Sequence, residues 1–166
     1  MIFETQRLIV RKLIFSDLNA FHEMQSNLDV MRFADGEVKS LIQHKKEISE
    51  LIKKYKISNN NFWIYAIERK SDNSFIGTLA LVKDSNTDDE IGYRFLKKYW
   101  GLGYGFEICE GTIFYCKQKG IKKLVGYVVD ENVASAKILE KMNFKVIDKY
   151  INKDMNLSET KYELTL

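Results

Sequence analysis

Seven residues, Tyr99-Trp100-Gly101-Leu102-Gly103-Tyr104-Gly105, constrain this chain more than any other stretch. They lie between a strand-like segment, Glu90 to Leu96, and a helix-like one, Phe106 to Lys119. Three glycines at alternate positions clear side chains from the backbone, so another molecule can come close to the peptide N–H groups. Those N–H groups open a helix, where the first turn lacks internal acceptors and the helix dipole attracts anions. The arrangement suits a diphosphate. A plain tight turn that packs a helix on a sheet has the same glycine spacing.

At 166 residues the chain is expected to form one domain, residues 1–166, burying about 70% of its extended-chain surface. No apolar run approaches the roughly 20 residues of a membrane span. The N-terminal residues lack the basic-then-apolar pattern of a secretory signal, so a cytoplasmic location is the expectation. With 26 basic against 23 acidic residues, the net charge of +3 favours a small polyanion only modestly. Lys45, Lys46, Lys53, Lys54 and Lys56 read as the wet face of a helix, not the concentrated basic face of a nucleic-acid binder.

Cys109 and Cys116 fall in one predicted helix, about 10 Å apart along its axis at 1.5 Å per residue, too far for a disulfide. His22 and His44 sit in separate helical segments with no second ligand at metal-binding spacing, so no metal site is expected.

Arg7 to Ile14 alternates as a first strand, and Ser16 reads as the N-cap of a helix from Asp17 to about Gln25. Ser40 and Gln43 have capping-box form ahead of an apolar stripe at Leu41, Ile48, Ile52 and Tyr55. Three strand-like runs follow, Phe62 to Arg69, Phe75 to Val82 and Glu90 to Leu96, separated by turns at Ser71–Ser74 and Asp84–Asp88. The glycine cluster opens the next helix and Gly120 closes it. Leu124 to Val129 reads as a buried strand, Asn132 to Met142 as a helix, and Phe144–Tyr150 and Thr160–Leu166 as strands. The expected class is α/β, in the order β-α-α-β-β-β-α-β-α-β-β, with helices on both faces of a mixed sheet.

This order, with its glycine turn after the fourth strand, resembles the GNAT superfamily of acyl-CoA-dependent N-acetyltransferases. The superfamily's phosphate-binding pattern is Gln/Arg-x-x-Gly-x-Gly/Ala, and Trp100 to Gly105 occupies it with Trp100 at the Gln/Arg position. That departure resembles the branch of ribosomal-protein N-terminal acetyltransferases and their small-molecule relatives. Glu4 to Leu13, Glu90-Ile91-Gly92-Tyr93, and Asp130 to Ser135 with Glu140 to Phe144 resemble further motifs of the branch, in the same order.

The resemblance implies a mixed, mostly antiparallel twisted sheet flanked by helices, and acetyl transfer from acetyl-CoA to a primary amine, with no metal. It implies a diphosphate cradle of main-chain N–H groups from Leu102, Gly103, Tyr104, Gly105 and Phe106, with Trp100 packing at the helix start. Tyr93, Arg94, Phe95 and Leu96 would offer strand-edge groups to the pantetheine, with a bulge at Gly92 and a main-chain N–H near Tyr93 or Arg94 holding the thioester oxygen.

Glu90 is either the base that deprotonates the amine or a solvated turn residue beside Asp88 and Asp89. Asn132 either binds the cofactor or caps a helix. Ser135 either returns a proton to the departing thiolate or is a plain helix-surface serine. The family's tyrosine acid, seven residues after the asparagine, is Leu139 here, so that mechanism is excluded. Asn143 replaces the usual glycine before Phe144 and tolerates a left-handed turn. A cysteine acyl-enzyme is disfavoured, since neither cysteine sits at a helix N-terminus, where thiolates are stabilised.

The acceptor, a protein N-terminus or a small amine, should meet the Ser16–Tyr55 helices, the loop after Phe33 and the segment Ile151–Glu159. Asp35 and Glu37 could attract a cation there. A non-catalytic acyl-CoA sensor is the alternative function, and a homodimer is plausible by resemblance.

Overall fold

The structure, a computed structural model, describes residues 1–34 and 38–166; Asp35 and Glu37, expected near the acceptor, lie outside them. The opening strand is two strands, β1 (Phe3–Glu4) and β2 (Leu8–Lys12), joined by a turn in which the Thr5 N–H donates to the Leu8 carbonyl at 2.9 Å. A short 3-10 turn, Phe15–Asp17, leads into α1 (Leu18–Gln25), and a one-turn α2 (Leu28–Met31) follows. Ser16 is not the cap. Asp17 accepts the Ile14 N–H at 2.9 Å and two Arg11 contacts at 2.8 Å, because a guanidinium draws a carboxylate inward as it cannot draw a neutral hydroxyl.

The capping box at α3 (Leu41–Lys54) forms as expected. Ser40 Oγ accepts the Gln43 N–H at 3.3 Å and Gln43 Oε1 accepts the Ser40 N–H at 2.8 Å. Strands β3 (Phe62–Arg69), β4 (Ser74–Lys83) and β5 (Asp89–Phe95) make the meander. Then come α4 (Tyr104–Gln118), β6 (Lys123–Val129), α5 (Val133–Lys141), β7 (Lys145–Asn152) and β8 (Leu157–Thr165). Asn143 takes φ +66° after α5, the left-handed conformation a short amide side chain tolerates.

Among the described residues these strands form one sheet in the order β1-β2-β3-β4-β5-β6-β8-β7, antiparallel except between β5 and β6. Strand alternation sends Val10, Ile67, Leu79 and Phe95 to one face, against Tyr104 and Ile108 of α4. Ala66 and Leu96 face the other way, towards Phe21, Met24, Ile48 and Leu51 of α1 and α3. A third cluster joins Ile91, Leu124 and Val128 to Cys109 of α4 and Leu139 of α5. Each fully buried aliphatic side chain contributes about 1.5–3 kcal/mol.

Candidate functional site

Parallel β5 and β6 pair at only two positions, Asp89 with Leu124 and Glu90 with Val125. Beyond that rung β5 stays with β4 and β6 with β8, each along seven paired positions, so the two halves of the sheet diverge. The Leu96 N–H donates to the Ile76 carbonyl at 2.9 Å. Alternation along this antiparallel ladder commits the N–H groups of Arg94 and Gly92 to β4, leaves that of Ile91 to the last rung with β6, and turns those of Tyr93 and Phe95 towards the gap. The bulge expected at Gly92 is absent. Register with β4 is unbroken from Phe95 to Asp89, and divergence of the strands alone exposes the edge.

A cleft of about 770 Å³ fills the gap, bordered by Tyr93, Phe95, Gly103, Phe106, Asn132 and Ser135. Tyr104, Gly105 and the Arg94 strand position also border it, although the Arg94 side chain leaves for Gln25 Oε1 at 2.8 Å. Leu96 and Leu102 do not. Leu96 is buried with the α1–α3 cluster and its N–H is taken by Ile76, whereas Leu102 is half-exposed and its carbonyl accepts Arg7 Nη1 at 3.0 Å.

Gly103 and Gly105 serve the helix start in different ways. Gly103, at φ +80°, is the N-cap of α4 and supplies no side-chain cap, so the helix opens with bare N–H groups. Gly105 is a packing glycine, since a Cβ there would lie 3.0 Å from Ile138 Cδ1 and 3.4 Å from Tyr93 Cε2. Trp100 Nε1 donates to the Phe95 carbonyl at 3.0 Å and ties the strand end to the helix start.

On the α5 side, Asn132 Oδ1 accepts the Ser135 N–H at 3.3 Å, so the carbonyl end of the amide caps the helix. The Tyr93 hydroxyl is shielded from water and has no hydrogen-bond partner. It lies close enough to Ser135 for the two to interact, while burial pushes its pKa well above the usual tyrosine value.

Glu90 faces a different space. It borders a second cavity, about 560 Å³, on the sheet face opposite α4 and α5, with Asp84, Tyr127, Asp148, Glu159 and Lys161. Tyr127 Oη and Lys161 Nζ both donate to Asp84 Oδ2, at 2.6 and 2.9 Å, while Tyr150 Oη donates to Glu159 Oε2 at 2.5 Å. Burial would raise the Asp84 pKa, but the bonds from Tyr127 and Lys161 hold it at about 2. For Glu90, burial and the charges of Asp84 and Glu159 push the carboxyl up to about 7, against the opposing pull of Lys161.

Residues 7–145 match the family described as an acetyltransferase (GNAT) domain. The chain belongs to the GNAT acetyltransferases. Among curated relatives, it is 28% identical over 148 residues to the uncharacterized N-acetyltransferase YoaA of Bacillus subtilis strain 168, spanning 87% of this chain and 82% of that one. Two solved structures share the fold at a TM-score of 0.84. One is a GNAT-family acetyltransferase of Bacillus anthracis, at 21% identity over 98% of this chain and 96% of its own. The other is RimL, a ribosomal L7/L12 α-N-protein acetyltransferase in complex with coenzyme A, at 18% identity over 99% and 97%. A spermidine N-acetyltransferase of Vibrio cholerae, in complex with coenzyme A and spermine, superposes at 0.79 with 17% identity over 96% and 95%.

The protein is therefore a GNAT-family N-acetyltransferase, and coenzyme A is the molecule bound in the RimL and spermidine N-acetyltransferase structures. This chain's residues fit that molecule, with an uncapped helix start at Gly103, a side-chain-free approach and a strand edge with unspent N–H groups along one cleft.

Two features of this GNAT enzyme escape sequence reading. Asp84, Tyr127 and Lys161 meet across 43 and 77 residues of chain, with no local signal to announce them. The imidazoles of His22 and His44 also meet, Nδ1 to Nδ1 at 2.7 Å, although their helices are separate in sequence. Among the described residues no third metal-ligating side chain joins them. No described helix is long and apolar enough to cross a membrane. Both cysteines are buried, and burial pushes each thiol up to about 12.

Proposed function

We propose that the enzyme acetylates a cationic primary amine, drawn into the acidic cavity around Glu90 while acetyl-CoA occupies the cleft on the α4–α5 face. The carrying observation is the place of Glu90: it stands on the last shared rung of β5 and β6, where the strands begin to part, with its side chain open to that cavity. Four carboxyl groups, Asp84, Glu90, Asp148 and Glu159, face one ammonium, Lys161, around the cavity. That balance favours an amine that arrives protonated.

Amines near pKa 8–10 must lose a proton to become nucleophiles. Glu90, raised to about 7, is matched to accept it at neutral pH. The N–H groups of Gly103 to Phe106 seat the diphosphate. The N–H of Tyr93 faces the gap as a donor for the thioester oxygen, a role the sequence also allowed Arg94, whose N–H goes to β4 instead. Asn132 Nδ2 remains available to the cofactor after Oδ1 caps α5. Ser135, on the cleft wall, returns a proton to the departing thiol sulfur. The high thiol pKa of Cys109 and Cys116 supports direct transfer over a cysteine acyl-enzyme.

Thiol release from acetyl-CoA across a panel of diamines, polyamines, amino acids and peptide N-termini checks this reading. Saturable turnover that is best with acceptors carrying an additional positive charge is expected. Tight CoA binding with no turnover on any amine would overturn it.

A further inference from the structure

The turn between β1 and β2 folds over the first turn of α4. Glu107, on that first turn, accepts three hydrogen bonds: from Thr5 Oγ1 at 2.6 Å, from the Arg7 main-chain N–H at 2.7 Å and from Arg7 Nε at 2.6 Å. The same guanidinium sends Nη1 to the Leu102 carbonyl at 3.0 Å and lies 4.5 Å over the Tyr104 ring. Nη2 is committed to neither acceptor and stands 3.4 Å from where a Cβ on Gly103 would be. The Arg7 side chain is 44% exposed and that of Glu107 only 13%. Arg7 thus touches the residues on both sides of the α4 N-cap while holding the one carboxylate of that helix's first turn.

A carboxylate there suits the helix dipole but repels an anion seated on the same N–H groups. Burial works against the charged form of Glu107, yet the bonds from Thr5 and Arg7 keep its pKa below the usual glutamate value, so the charge is present at neutral pH. Something must offset it if the helix start is to hold a diphosphate.

We infer that Arg7 is a positioning residue for the diphosphate of acyl-CoA: it cancels the Glu107 charge beside the cradle and pins the Leu102 carbonyl, so that the Gly103–Phe106 N–H groups face the anion. The inference rests on the reading that acyl-CoA is seated at the start of α4. A plain structural strap between β1 and α4 would use the same contacts, and charge separates the two.

Calorimetric titration of the wild-type protein with CoA comes first, because absence of binding would defeat the seat itself rather than the role of Arg7. Given binding, Arg7→Met, which keeps the packed stem, is expected to weaken the Kd for CoA and raise the KM for acetyl-CoA about tenfold, with kcat within twofold. Arg7→Met/Glu107→Gln is expected to recover to within about threefold of wild type. A strap predicts the reverse, a double variant no better than Arg7→Met, with Kd tracking the loss of Tm, and that result would overturn the inference. Glu107→Gln alone supplies an arm independent of how Arg7→Met folds. CoA binding should hold or tighten as the guanidinium loses its counter-charge, and a weakening beyond threefold would count against the role.

Discussion

Glu90 and Val125 form the last rung on which β5 and β6 hold each other; Glu90 borders the acidic cavity, and the cleft begins beyond the rung, along Ile91 and Tyr93. Glu90→Gln is expected to lower kcat by about a hundredfold or more, the low end of general-base contributions, while the KM for acetyl-CoA holds. In the wild type, kcat/KM rises with pH through about 7 as the carboxyl ionises, and the variant loses that limb. Unchanged turnover in the variant would remove Glu90 from the chemistry.

The same shift has a stability consequence. The folded Glu90 carboxyl holds its proton up to about 7, whereas the unfolded chain releases it near 4.5. Its contribution is therefore fully present below about 4.5 and is lost as pH rises through 7. Glu90→Gln should raise Tm at pH 8 and leave it nearly unchanged at pH 4, as followed by thermal melts at the two pH values.

Lys161 is almost wholly enclosed between Asp84 and Asp88, at 2.9 and 3.4 Å. Lys161→Met leaves the buried Asp84 without its cation, while Asp88 keeps Lys123 at 2.8 Å, and is expected to cost about 3 kcal/mol in urea denaturation. Glu159→Gln keeps an acceptor for Tyr150 and removes one cavity charge. It should raise the KM for a polyamine several-fold while leaving that for acetyl-CoA in place, and equal changes in both would argue against an acceptor role for the cavity.

Gly103 holds φ +80° at the start of α4. Gly103→Ala should cost about 1–2 kcal/mol through the left-handed backbone alone. Gly103→Glu adds a carboxylate at the cradle and should abolish detectable CoA binding by calorimetry. Binding equal to that of Gly103→Ala would place the diphosphate elsewhere.

Buried thiols with pKa near 12 hold almost no thiolate at pH 8. Iodoacetamide should leave native activity intact at that pH and label Cys109 and Cys116 only after unfolding, as read by mass spectrometry. Inactivation in step with labelling of the folded protein would revive a cysteine intermediate.

The sequence by itself determined the order of elements from α3 onward, the glycine-opened helix, the Ser40 box, the left-handed Asn143 and, through the motifs they carry, the family; it missed the split of the opening strand into β1 and β2 and the one-turn α2. The signals it carried are local, set by residues within a few positions of one another. Ser16 failed as a cap because Arg11, at the end of β2, draws Asp17 inward across a gap of 6 residues, a competition that cap preferences alone do not register. Alternation along β5 says that Glu90 and Tyr93 point to opposite faces, but not which face meets which helix. Only the tertiary structure decided that, together with the β6-β8-β7 strand order, the Asp84–Tyr127–Lys161 cluster and the Arg7–Glu107 clasp across 100 residues. Such contacts are fixed by how the two halves of the sheet pair and then part, a collective outcome of burying several apolar clusters at once, and no short window of sequence carries it.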